Sequence, residues 1–265
     1  MKLIDTIEKE YKEVNSTFVK EVKTEGEDCK LDLVPLYLSY LESREANCGP
    51  KRSAESIYRT CLQLIKKSKE DYALKDIHTF SLQYATVLSC TDPTDFGIFI
   101  SALINKHFEE NHTNEEYVVF TDQERSEISF LGMKNNGARI VTMGSSGPFA
   151  GSFMENGLLH IQGDTEHKVG FKMIGGKIIV EQNANQYAGS NMFNGEIVIR
   201  GNAGDNIGEH IQGGIIRIEG ESIGTLSKNA SKYIYHKEEL LSEKREKMQK
   251  KTEKVPILQR LKKWF

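Results

Sequence analysis

Long apolar runs are missing from this chain, and so are paired cysteines and a strong charge of one sign. Each absence excludes a class. No apolar stretch approaches the roughly 20 residues of a membrane-spanning helix, and MKLIDTIEKEYKEV mixes charges into its apolar positions, unlike a signal peptide, so a cytoplasmic protein is expected. The four cysteines, Cys29, Cys48, Cys61 and Cys90, form no CxxC or CxxxC pair. Such spacing fits free buried thiols in a reducing compartment rather than a disulfide framework or a metal site. A net charge of −3 excludes nucleic-acid binding driven by bulk charge. Glycine is scarce before Gly132 and absent from Tyr235 onward.

What is present is just as unevenly placed. Residues 1–130 carry 16 Lys/Arg against 24 Asp/Glu, residues 131–236 carry 9 against 9, and residues 237–265 carry 10 against 5. An acidic front, a neutral middle and a basic tail are physically distinct parts. The front reads as helical. Residues 31–42 are dense in Leu, Tyr and Val, with Pro35 near their start, and residues 53–69 set Ile57, Cys61, Leu64 and Ile65 on one face. Asp92, Pro93 and Asp95 supply a capping residue, a first-turn proline and a first-turn carboxylate before Phe96, Phe99, Ile100, Leu103 and Ile104. Tyr117–Phe120 and Ile128–Leu131 read as short β runs.

Between Asn136 and Ala230 the chain repeats every 19 residues, and five passes align without a gap. A fixed period near 20 with glycines at fixed phases marks a solenoid, in which each coil buries its face only against its neighbours. One column reads Ile140, Leu159, Ile178, Ile197, Ile216, and two residues on comes Thr142, Ile161, Val180, Ile199, Ile218. Positions two apart on a strand share a face, so both columns are expected to point inward. Ala150, Val169, Ala188, Ile207 and Leu226 form a third inward column, and Met154, Met173, Met192 and Ile211 a fourth.

The turn glycines Gly144, Gly151, Gly163, Gly170, Gly176, Gly189, Gly195, Gly201, Gly208 and Gly214 are expected at corners that need positive φ. By the same reasoning Asn185, in a glycine column, is expected in the left-handed region. Ser145, Asp164, Asn183 and Asn202 share a further corner column and read as a hydrogen-bonded ladder. A left-handed hexapeptide helix needs coils divided into sixes, which this pattern lacks, so a right-handed parallel β-helix of about five 19-residue coils is expected.

The strings MIGGKIIVEQNANQYAGSNMFNGEIVIRGNAGDNIGEHIQGGIIRIEG resemble the GXGXG β-helix domain, found in the large chain of glutamate synthase and, in related form, in one component of formylmethanofuran dehydrogenase. The shared pattern is GG-x-I-x-I-x-G followed by N-A-G-x-x-x-G-x-x-M, clearest at Gly195 to Ile211 and repeated at Gly176 to Met192. The likeness spans about 100 of 265 residues. It implies a structural or assembly domain rather than a catalytic one. Neither the N-terminal cysteine nucleophile of the glutaminase domain nor a cysteine cluster for iron and sulfur occurs here, so an oxidoreductase link would run through a partner.

The expected organisation is α+β and multidomain: an α-helical domain over 1–116, the β-helix over 117–230 and a charged helical tail over 231–265. No catalytic residue, metal ligand or cofactor is expected; GFKMIGGK at Gly170–Lys177 misses the phosphate-loop frame by one residue. The candidate contact residues are Val141, Ile179 and Val198 on the outer strand face, and Leu261, Trp264 and Phe265 in the tail. A scaffold or accessory subunit with a protein partner, possible ones being a flavoprotein or a molybdenum/tungsten enzyme subunit, is the main expectation. Nucleic-acid and membrane partners are disfavoured. The alternatives are a detached structural domain of an oxidoreductase complex and a polymer-forming β-helix.

Overall fold

The computed structural model describes residues 32–46, 52–83, 92–121, 128–228 and 230–241. Four helices come first: α1 (Val34–Ala46), α2 (Ala54–Ser68), α3 (Leu74–Gln83) and α4 (Pro93–Asn111). Pro35 sits inside the first turn of α1, where its missing N–H costs no hydrogen bond, so it does not break the helix. Ser53 caps α2 by accepting from Ser56 N, and Asp92 caps α4 by accepting from Thr94 N with Pro93 at the first helical position.

A parallel β-solenoid of about six turns follows: β1 (Glu116–Phe120), β2 (Asn136–Met143), β3 (Asn156–Ile161), β4 (Lys177–Val180), β5 (Glu196–Ile199), β6 (Ile215–Ile218) and β7 (Ile234–His236), with β8 (Glu239–Leu240) antiparallel to β7. From β2 to β6 the register follows the repeat, Ile140 opposite Leu159, then Ile178, Ile197 and Ile216. The two flanking strands break the period: Tyr117–Phe120 is extended as its composition predicts, but neither its register nor the strand at Ile234–His236 follows from the repeat. Tyr117 pairs with Ile140, four positions beyond the repeat, and Ile216 pairs with Ile234, one position short of it. Two sequence expectations give way here. Ile128–Leu131 forms a corner rather than a strand, with Gly147 N donating to Ile128 O, because it is the first-turn counterpart of the Gly147–Ala150 corner. Residues 234–240, assigned to a helical tail, form β7 and β8, with Ala230–Lys232 a single 3-10 turn; the rest of the tail lies outside the described residues.

The inward columns are the core. Ile140, Leu159, Ile178, Ile197 and Ile216 are fully buried, as are Thr142, Ile161, Val180 and Ile199, and Met154, Met173 and Met192 fill the next corner. Like residues touch along ladders at the about 4.8 Å strand spacing, so each coil completes its neighbour's core.

The glycines divide by cause. Gly170 at φ 68° stands for those held in the left-handed region, where glycine carries no Cβ penalty. Gly163 and Gly201 are different: neither has positive φ, and the reason is close approach between coils. A Cβ on Gly163 would lie 2.7 Å from Ser145 N, and one on Gly201 2.6 Å from the Gln182 carbonyl carbon. Asn185 likewise is not left-handed, and its column partner Gly204 is crowded against the backbone of Asn185 and Gln186.

The helices close the first open edge of the coil stack. His78 on α3 accepts from Val118 N through Nε2 at 3.0 Å and hydrogen-bonds the Glu116 backbone, so one imidazole serves two edge groups of β1 as a further strand would. Phe120 N donates to Ser81 Oγ at 3.2 Å. Unpaired strand edges invite another chain, and these contacts occupy this one. At the far end β8 pairs with β7, and Lys237 N donates to Ile218 O.

Helix α4 is buried all round from Asp95 to His107 because the other helices lie on one side and the first turn of the solenoid on the other. Three of its buried polar residues make hydrogen bonds across that boundary. Ser101 Oγ accepts from Gly132 N at 2.9 Å, Asn105 Nδ2 donates to Tyr58 Oη, Met133 O and Lys134 O, and His107 Nδ1 meets Tyr117 Oη at 2.7 Å. Burial pushes the ionisation of both His78 and His107 below the ordinary histidine range, chiefly through desolvation. An imidazolium at His78 could no longer accept from Val118. Both rings are therefore neutral when folded and bind protons more readily when unfolded, so their contribution to stability is present above the unfolded pKa of about 6.5 and is lost as pH falls below it. Thermal melts should show a lower Tm at pH 5 than at pH 7.5, with His78→Gln reducing the difference.

Candidate interaction surface

Odd and even positions on each strand separate core from exterior, so the outer sheet face carries three parallel columns. The central one contains Val141, His160, Ile179, Val198 and Arg217 in register. Val141 is 6% exposed and Val198 7%, while Ile179 is half-buried, so this column is not a continuous apolar strip. Ion pairs and hydrogen bonds tie this column to the two beside it. Lys177 and Arg217 both hold Glu196, at 2.9 and 2.8 Å, and His160 and Arg200 both hold Glu181, at 2.5 and 2.6 Å. The Glu196 carboxyl is held below the usual range by Lys177 first and Arg217 second, and that of Glu181 by its hydrogen bond from His160 first. Leu261, Trp264 and Phe265 lie outside the described residues.

A second exterior element is the corner ladder. Asp164 N donates to Ser145 Oγ at 3.1 Å, Asn183 N to Asp164 Oδ1 at 2.8 Å, Asn202 N to Asn183 Oδ1 at 2.9 Å and Ser222 N to Asn202 Oδ1 at 2.8 Å. Each side chain satisfies a backbone donor of the next coil. The column thus has a structural use, as the sequence predicts.

The third element has no counterpart among the sequence expectations. Each coil turns its Met-side corner with alternating left-handed residues, and two of the three left-handed columns are not glycine. Phe130, Phe149, Lys168, Tyr187 and Asn206 have φ between 59° and 65°, and Lys134, Phe153, Lys172, Asn191 and His210 have φ between 53° and 57°. Positive φ is unfavourable for bulky side chains, yet the backbone groups there are tied coil to coil, as in Lys168 N to Gln186 O and Lys172 N to Ser190 O, each near 3 Å. The side chains stack as well. Phe130 and Phe149 lie parallel at 4.7 Å, and Phe171 meets Phe149 and Phe153 edge-on. Lys168 Nζ lies 5.4 Å from the Phe149 ring centre and 5.5 Å from that of Tyr187; Lys172 Nζ lies 5.5 Å from Phe153 and 5.4 Å from Phe171. Two residues beyond Lys172 and Asn191, Ile174 and Phe193, one coil apart in the same column, are 50% and 47% exposed. The signal was present as in-register aromatic and basic residues, but nothing in a linear pattern marks a phenylalanine column as left-handed and outward.

Among the described residues no group of three or more His, Cys, Asp or Glu converges as a metal site would, and no helix is long and apolar enough to cross a membrane. Cys61 is buried in the helical core, where desolvation pushes its thiol ionisation well up and leaves it unreactive. The other polar cluster of the interior, Asp95 with Tyr40 Oη at 3.0 Å and Arg44 in ionic contact, fastens α1 to α4. No family model and no curated protein matches the chain.

Proposed function

We propose that this chain is a non-catalytic scaffold or accessory subunit, built on a GXGXG-type β-helix and acting through protein–protein assembly. The observation that carries the reading is a stack of coils whose first edge is occupied within the chain, by His78 and Ser81 at β1, and whose sheet runs out at the other end in the two-residue antiparallel strand β8, so the lateral faces are the extended, repeating surfaces. A rigid rod whose side chains recur every coil suits extended docking. The occupied β1 edge also weighs against polymerisation through that end.

A second reading is a detached structural domain of a glutamate-synthase-like or formylmethanofuran-dehydrogenase-like oxidoreductase complex. It is favoured by the strings at Gly176–Met192 and Gly195–Ile211, and in it Gly195 and Gly214 each stand at the entrance to an interior strand with φ of 99° and 87°. Purification from native cells, with mass measured by light scattering, tests both. A heteromeric complex is expected. Co-elution with a flavin-bearing or molybdenum/tungsten-bearing protein would select the second reading, whereas a lone monomer would overturn both, and filaments would mean that the occupied β1 edge does not prevent stacking.

A further inference from the structure

We propose that the corner face around Lys168 and Lys172 is the docking site, and that its occupant is an acidic, amphipathic segment of a partner protein. The inference rests on the assembly reading and names the surface and chemistry it would use.

The charge argument comes from contrast. On the sheet face Arg139, Lys177, Arg200 and Arg217 are each in an ion pair. Among the described residues, Lys168 and Lys172 are in none; their ammoniums rest instead over phenylalanine and tyrosine rings. A cation over a ring is held in place without being neutralised, so its charge remains for an incoming carboxylate. Their backbone is also fixed, by coil-to-coil hydrogen bonds at both residues. Ordering two long side chains beforehand lowers the entropic cost of binding.

Two residues beyond Lys172 comes the exposed Ile174, and the exposed Phe193 follows one coil on in the same column. Ammoniums beside an apolar pair match a segment with carboxylates on one side and aliphatic side chains on the other. Nucleic acid fits less well. Bases stack on open ring faces, and here Phe149 is covered by Phe130 on one side and approached by Lys168.

The repeat supplies a substitution that removes the charges and keeps the fold. Asn206 stands in the Lys168 column at φ 59°, and Asn191 in the Lys172 column at φ 56°. K168N/K172N therefore places in these corners a residue that other coils already carry there. The probe is a synthetic helical peptide with glutamate on one face and leucine on the other, titrated into the 265-residue chain at low salt. Wild type should bind, K168N/K172N should weaken binding by about tenfold or more, K168R/K172R should retain it, and I174S/F193S should weaken it with an unchanged Tm. The proposal is overturned if wild type does not bind the peptide, if K168N/K172N binds as well as wild type, or if oligothymidylate or phosphatidylserine vesicles bind more tightly than the peptide. A native complex that survives K168N/K172N would remove this surface and leave the assembly reading standing; a lone native monomer would remove the reading itself.

Discussion

Ile197→Asp should leave little or no folded protein, while Val198→Asp, one residue along the same strand, should fold and melt somewhat lower. Ile197 is fully buried, with Ile178 and Ile216 as its ladder neighbours. An aspartate there has no cation or donor to meet, and a buried unpaired charge costs several kcal/mol, a large part of the roughly 5–15 kcal/mol that holds a domain folded. Val198 is nearly as covered, at 7% exposure, yet it faces out between Ile179 and Arg217. Aspartate at 198 can turn its carboxylate toward solvent and the Arg217 guanidinium. Its cost is mainly the lost aliphatic burial, about 1–2 kcal/mol. Thermal and urea denaturation of the two variants would decide the matter. Equal losses would mean that exposure, rather than the direction of the side chain, governs this strand.

Gly97→Ala should destabilise, although the position lies inside a helix. In an exposed helix interior that change stabilises by about 1 kcal/mol. Here Gly97 faces the corner that opens the solenoid: a Cβ built on it would overlap the carbonyl oxygen of Ser129 and lie 2.8 Å from Ile128 Cγ2. Backbone cannot give way as a flexible side chain does, so α4 must back off from the first turn, disturbing the Ser101 and Asn105 bonds to Gly132, Met133 and Lys134. A net loss of about 2 kcal/mol or more is expected. A lowered urea midpoint would bear this out, and an unchanged or raised one would mean that the helix and solenoid are not pressed together at this point.

Residue patterns carried a good deal of this molecule. The 19-residue register assigned the inward columns correctly because a coil's interior repeats whenever its backbone does, and identical neighbours pack best on one another. The Asp92–Pro93 signal placed the start of α4 to the residue, since capping chemistry is local. The same logic failed for Ile128–Leu131 and for residues 234–240, where apolar or charged composition was read locally but the neighbouring coil decides the conformation. The glycine columns showed a subtler failure. Position in a repeat said that something forbids a side chain at Gly163 and Gly201, but not whether the cause is φ or the coil below.

For the candidate surface the balance reverses. Val141, Ile179 and Val198 were legible as an outward column, but the ion pairs running alongside it were not, because they depend on where Lys177, Glu181, Glu196, Arg200 and Arg217 extend. The Lys168–Lys172 corner was visible only as in-register aromatic and basic residues, since φ at a non-glycine residue leaves no mark in composition.

By itself the sequence determined the period, the direction of each strand position, the helical character of the front and the hydrogen-bonding corner from Ser145 to Asn202. These follow from interactions between residues a fixed distance apart along the chain, which any repeat makes visible. Only the tertiary structure decided that the helices close the β1 edge through His78 and Ser81, that two off-period strands extend the stack, and that two lysines stand over aromatic rings. Each of these joins residues with no fixed separation, and a sequence pattern can register a contact only when its spacing recurs.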